Sequence, residues 1–240
     1  MWPMFWLFYA NPILIAAAVI PAIVLMVKVY QADRLEKESP GMMLSLVFFG
    51  IIATALAMVA ERLGIMILSR TVAPNSTLYR VILYFGIVAF AEEGAKYILL
   101  KRRTWYSYEF NCQFDGVVYA VCVSLGFALW ENIGYVLQYG LSTALVRAVT
   151  AVPGHACFGV FMGVFYGLAK RYDRAGKEGR SSFFRKLSLL APALLHGCYD
   201  FIATDETTGY AMYFLVFVVA LFAVAFLLVR KMSREDLYIR

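Results

Sequence analysis

The sequence predicts an all-α, polytopic transmembrane helical bundle of about seven spans, with the N-terminus outside and the C-terminus cytoplasmic. Three observations carry this. The 240 residues are 62% apolar and 16% aromatic, with a mean hydropathy of +0.71, too apolar for a soluble domain. Apolar runs of about 20 residues recur, the length needed to cross hydrocarbon. The net charge of +6 is concentrated at the ends of those runs, which fits membrane orientation by the positive-inside rule rather than nucleic-acid binding.

The expected spans are 11–29, 42–60, 79–100, 116–137, 144–169, 184–203 and 210–229, with Glu61–Leu68 either extending the second or lying along the surface. Basic segments alternate with poorly charged ones. Arg34 and Lys37 follow span one, Lys101–Arg103 follow span three, seven basic residues lie between Lys170 and Lys186, and Arg230–Arg240 close the chain. The 138–143 connection has no charge, and Asp205 and Glu206 follow span six. Arg62, Arg70, Arg80 and Arg147 are exceptions on or near the outer side. No polar tract marks a boundary, so 1–240 reads as a single domain, with Lys170–Lys186 as a cytoplasmic loop. The stretch Met1–Trp6 lacks a basic n-region and a cleavage site, and its tryptophans suit a membrane interface. Cys112, Cys122, Cys157 and Cys198 have no metal-knuckle spacing and read as unpaired buried thiols.

Against this background the ionisable residues at membrane depth stand out. Span three contains Glu92, Glu93 and Lys96; span four Glu131 and Asn132; span five His155; span six His196 and Asp200. Such groups are costly in lipid and default to a functional role. Lys96 is three and four residues from the two acids, so it can neutralise one and leave the other unpaired. At about 1.5 Å rise per residue, Glu92 lies about 12 Å from the cytoplasmic end of its span. Glu131 and His196 lie about 9–11 Å, and His155 about 16 Å, from the outer ends of theirs. The group therefore sits from mid-membrane into the outer half. Small residues at spacing four (Gly116, Ala120, Ser124, Ala128; Gly159, Gly163, Gly167 below His155) predict close helix packing rather than chemistry.

No G-x-S-x-G, no His-Glu-x-x-His and no intramembrane aspartyl pair occurs. Carboxylate plus imidazole remains. One acid can serve as general base for water, with imidazole stabilising the oxyanion or protonating the leaving amine. Alternatively, His155, His196, Glu93 and Glu131 supply the donor types of a catalytic Zn2+ site. The residues leave both schemes open. A proton- or ion-coupled transporter would use the same groups as a relay, but it predicts inverted repeats, and no convincing internal symmetry is present. A catalytically silent scaffold is disfavoured by the cost of the cluster.

Glu92-Glu93-x-x-Lys96, Phe127-x-x-x-Glu131, His155 and His196-x-x-x-Asp200, in this order on separate spans, resemble the pattern of PrsW intramembrane proteases. The stretches Phe114–Tyr119, Ser124–Ala128 and Leu194–Phe201 are similar to that family too, and the resemblance covers roughly 80–205. It is more distantly similar to type II CAAX prenyl proteases and bacteriocin-immunity membrane proteases. The resemblance implies a bacterial plasma-membrane protease whose partners are the bilayer and a single-span membrane substrate. It implies the first, extracytoplasmic-side cut in an anti-sigma factor, which begins a stress response. It places catalysis on Glu92, Glu93, Glu131, His155, His196 and Asp200, supported by Lys96, Phe127 and Asn132. Asp200 stands where the CAAX relatives have asparagine. An ionised aspartate cannot donate to an oxyanion, so it must be protonated, orient His196 or bind metal.

Overall fold

The computed structural model describes residues 12–74, 76–204 and 210–239. The expectations for Met1–Trp6, Asp205 and Glu206 fall outside them. The described chain is helical nearly throughout. Helix α1 (Pro12–Ala32) is followed by α2 (Pro40–Thr71), whose first turn is set by Pro40 at N1 and by Ser39, whose hydroxyl accepts from the Met42 N–H at 3.1 Å. The run α3 (Thr77–Val81), a π-helical segment (Ile82–Val88) and α4 (Ala89–Thr104) is continuous, and Ser76 caps its start. Then come α5 (Asp115–Tyr139), α6 (Leu141–Val149), α7 (Ala151–Arg174), α8 (Glu178–Ala203) and α9 (Tyr210–Arg234).

Five stretches are long and apolar enough to cross a membrane: Pro12–Ala32, Pro40–Thr71, Asp115–Tyr139, Leu141–Arg174 and Ala211–Arg234. The helical runs 77–104 and 178–203 cover the third and sixth expected spans but are each six residues longer, and neither is among the five apolar stretches. They are the most charged of the long helices, carrying Glu92, Glu93 and Lys96 in one and several basic residues in the other. Residues Glu61–Leu68 continue α2 in helix, the first of the two alternatives expected for them. Two expectations need correction. The fifth span breaks at Thr150 (φ −120°, ψ −71°) into α6 and α7. The supposed loop Lys170–Lys186 is mostly helix, because α7 runs to Arg174 and α8 begins at Glu178, leaving a three-residue turn. A basic, polar stretch reads as loop when its apolar face is narrow.

Helix α5 is the axis of the bundle, buried along most of its length and packed by α1, α2, α4 and α7. Its small residues do what their spacing predicts. A Cβ built on Gly163 would lie 2.4 Å from Val117 Cα, and one on Gly116 2.7 Å from the Gly167 nitrogen, so α5 and α7 touch backbone to backbone. On the opposite side, a Cβ on Gly126 would lie 2.3 Å from the Val47 carbonyl oxygen of α2. Such contacts leave no room for a methyl group and fix the positions of α2 and α7 about α5. All four cysteines are unpaired, as expected, and Cys112, Cys122 and Cys157 are buried, but Cys198, expected to be buried too, is partly exposed.

Because α5 and α7 meet through backbone at Gly163, Gly163→Ala forces the helices apart. It is expected to lower unfolding stability by about 1–3 kcal/mol. Gly179→Ala, where an added Cβ meets nothing within 4 Å, is the control. Thermal unfolding of the detergent-solubilised protein should separate the two, with Gly179→Ala unchanged.

Candidate active site

The acids of α4 enter the bundle against α5, α7 and α8. Lys96 is fully buried. Its ammonium donates to Glu93 Oε1 at 2.7 Å and Glu92 Oε2 at 3.2 Å, and lies 3.3 Å from His155 Nδ1. It also sits 3.9 Å over the Phe127 ring. The i,i+3 and i,i+4 spacings thus let Lys96 serve both acids, not one. A lysine with only donors makes His155 Nδ1 an acceptor, so the Nε2–H points at Glu131 Oε2, 3.0 Å away.

Glu131 has a second partner that its own helix does not provide. Arg147 on the short helix α6 donates from Nη2 to Glu131 Oε2 at 2.7 Å and from Nε to Asn132 Oδ1 at 2.9 Å. Asn132 in turn donates to the Ala18 carbonyl of α1 at 2.9 Å. Sequence reasoning placed Arg147 merely near the outer side. Its pairing spans sixteen positions across a helix break, and no helical spacing rule reaches that far.

His196 on α8 completes the network. Its Nδ1 is 3.0 Å from Glu93 Oε1 and 3.9 Å from Glu92 Oε2, while Nε2 is 3.4 Å from Asp200 Oδ2. Asp200 therefore stands behind the ring, in a position to orient it. Phe158 stacks on the imidazole (centroids 4.8 Å, 18°), and the two histidine rings are 5.4 Å apart at 87°. All six expected catalytic residues and the three supporting ones are thereby joined by contacts across α4, α5, α6, α7 and α8.

Beside them lies a cavity of about 230 Å³, lined among others by Glu92, Glu131, Phe127, Thr54 and Glu61 and reaching Gln138 and Tyr139 at the end of α5. Glu92 and Glu131 face it; Glu93, fully buried, does not. Glu61 is a carboxylate the sequence left unassigned. It lies in the part of α2 that extends beyond the second expected span, and the only available signal was an acid in an apolar run.

For a metal, the ligand atoms of Glu92, Glu93 and His155 lie within 4.8 Å of one another, and Glu93 Oε2 is buried without a hydrogen bond. The donor types suit Zn2+. In this arrangement, however, the Lys96 ammonium already occupies the position shared by the three, and an ion there would face a positive charge at contact. The trio does not fit a metal alongside Lys96. Of the four expected ligands, Glu131 and His155 meet at 3.0 Å and His196 and Glu93 at 3.0 Å, with Arg147 also engaging Glu131 and Asp200 engaging His196.

The family model described as PrsW family intramembrane metalloprotease matches residues 38–227. The Protease PrsW of Bacillus subtilis (strain 168) is 34% identical over 209 residues, covering 87% of this chain and 90% of the relative. That of Shouchella clausii (strain KSM-K16) is 32% identical over 222 residues, covering 92% and 97%. That of Geobacillus kaustophilus (strain HTA426) is 33% identical over 229 residues, covering 95% and 94%. No solved structure matches.

Removing one partner of a buried ion pair leaves an uncompensated charge. Lys96→Met is therefore expected to cost about 3–5 kcal/mol in unfolding stability. Adding Glu93→Gln to it should recover part of that loss, because one of the stranded charges goes too. A double-mutant cycle read by thermal unfolding checks the coupling.

Proposed function

The chain belongs to the PrsW family of intramembrane proteases, and we propose that Glu92 is the base that activates water for its cut. The observation that carries this is the division of labour between adjacent acids. Glu92 lines the cavity, whereas Glu93 is sealed between Lys96 and His196. The protein is a multi-pass bacterial membrane protease, and its substrate is a membrane protein.

In the reaction we infer, water in the cavity gives a proton to the Glu92 carboxylate as its oxygen adds to the scissile carbonyl carbon. The proton then passes from Glu92 to the leaving nitrogen, the C–N bond breaks, and a carboxylic acid and an amine result. Lys96 and Arg147 place positive charge behind the two acids facing the cavity, and a fixed positive field favours the oxyanion without reorganisation. Glu93 and His196 hold Lys96 and Glu92 in place, Asp200 orients His196, and His155 links Lys96 to Glu131. No step is routed through a metal ion.

The substrate class we propose is a single-span protein of the anti-sigma-factor type, cut first on its extracytoplasmic side. Support comes from placement. The cavity reaches Gln138 and Tyr139, next to the uncharged connection that the charge distribution assigns to the outside, so water and an unwound substrate segment enter from there.

Co-expression with a doubly tagged single-span substrate tests this reading. Glu92→Gln should slow cleavage by at least about 100-fold while the protein still inserts. Cleavage by that variant at the wild-type rate would remove Glu92 from the role of base. Mass spectrometry of the product should place the cut on the outer half of the substrate span.

A further inference from the structure

A second group of buried acids lies at the opposite end of α5 and takes no part in the network above. Asp33 follows α1, Glu38 lies in the α1–α2 connection, and Asp115 opens α5. One carboxylate oxygen of each comes within 4.8 Å of the others. The three residues are only 2%, 6% and 1% exposed. Asp115 and Glu131 are sixteen residues apart on one helix, hence about 24 Å along its axis, so this cluster is distinct from the active site.

The three differ in how they are satisfied. Asp115 Oδ2 accepts from the Asn111 and Cys112 N–H groups at 2.9 and 2.7 Å. Glu38 Oε2 accepts from the Tyr119 hydroxyl at 2.8 Å. Asp33 is the least satisfied: neither carboxylate oxygen makes a hydrogen bond of ordinary geometry, although both are buried, and among described donors only the adjacent Arg34 N–H bears on it. Lys37, whose charge acts on Asp33, spends its ammonium on the backbone carbonyls of Tyr30 and Asp33. Beside the cluster, Asp236 of the C-terminal tail accepts from the Phe114 and Leu237 N–H groups through Oδ1 and leaves Oδ2 buried and unpaired. Among described groups, Glu36 and Glu109 add negative charge nearby, each engaged by one donor (Asn111 and Ser39).

Unpaired buried carboxylates at this spacing are neutralised either by protons or by a cation. Opposite oxygens around Ca2+ lie about 5 Å apart, and around Mg2+ about 4 Å, so the observed separations need little adjustment for either. We propose that Asp33, Glu38 and Asp115 bind one hard divalent cation of the Mg2+/Ca2+ class, which pins the α1–α2 connection to the start of α5 next to the tail carboxylate of Asp236. The tail is already seated there: the Gln113 N–H donates to the Leu237 carbonyl and the Ile239 N–H to the Asn111 carbonyl. The ion would join two segments far apart in sequence, beside the tail as a third.

Protons compete for the same oxygens. Burial pushes Asp33 up to about 6, with Asp236 and Glu36 adding to the rise and Lys37 and the Arg34 N–H opposing it. Burial pushes Glu38 up to about 9, with Asp115, Glu109 and Asp33 adding and the Tyr119 hydroxyl opposing. Without the ion, these raised values mean that the folded state holds protons the unfolded chain has released. Stability then falls as pH rises from the ordinary carboxylate range towards 9. Cation binding should accordingly strengthen over the same rise.

The test uses the full chain in detergent, stripped with chelator, with Mn2+ as an electron-paramagnetic probe and Mg2+ and Ca2+ as competitors. Wild type should bind one competable Mn2+, more tightly at pH 8 than at pH 6, and gain thermal stability from the cation. Asp33→Asn relieves repulsion and so should melt no lower than wild type in chelator. It should bind Mn2+ at least about tenfold more weakly and lose the cation-dependent gain. Glu93→Gln should keep the bound ion. An ion lost in Glu93→Gln but kept in Asp33→Asn, or no competable Mn2+ in folded wild type, overturns the proposal; the second result assigns the cluster to shared protons.

Discussion

Lys96 carries three N–H donors and nothing else with which to bond, and the bundle supplies it with three acceptors: Glu92, Glu93 and the Nδ1 of His155. An ammonium without water is tolerable only on these terms. Because the acceptors come from two helices, satisfying it draws α4 and α7 together, and the face of Phe127 on α5 closes the remaining side. The tautomer of His155, the direction of its contact to Glu131 and the burial of Glu93 all follow from that demand. The site is thus a charge-compensation problem solved first, with one carboxylate left facing a cavity.

The packing that permits this is backbone-close. Gly116 and Gly163 remove the side chains that would otherwise separate α5 from α7, and Gly126 does the same towards α2. Helices held this near place His155 and Glu131 within a hydrogen bond of each other and leave the cavity walled on the α2 side by Thr54 and Glu61. Stiffness matters here, since a base and its charge partners work only at fixed separation.

Much of this was legible in the sequence because it obeys helical periodicity. The spacing of Glu92 and Glu93 from Lys96, the stripe below His155, and the placement of His196 and Asp200 one turn apart are all local patterns. What escaped is what periodicity does not encode. Arg147 meets Glu131 across a break between helices, and Glu61 reaches the cavity because α2 runs on past the length hydrocarbon requires. The turn at 175–177 resembles a long loop in sequence, since charge in the last turn of α7 and the first turns of α8 looks like a linker. The Asp33–Glu38–Asp115 group joins residues from a loop and a distant helix start, which no window along the chain could connect.

The π-helical segment Ile82–Val88 lies one turn before the acids. Against it packs α8: Gly197, the residue after His196, lies so close to the Phe85 ring that an added Cβ would be 2.5 Å away. Wide turns of this kind accommodate an additional residue within otherwise regular winding. Each residue of an α-helix advances about 100° around the axis, so tightening that segment by one residue would swing Glu92 and Glu93 by roughly a quarter-turn relative to α3. The angular address of the carboxylates is therefore set by a winding irregularity upstream of them, and the glycine at 197 is what lets α8 lie against the Phe85 ring of that segment.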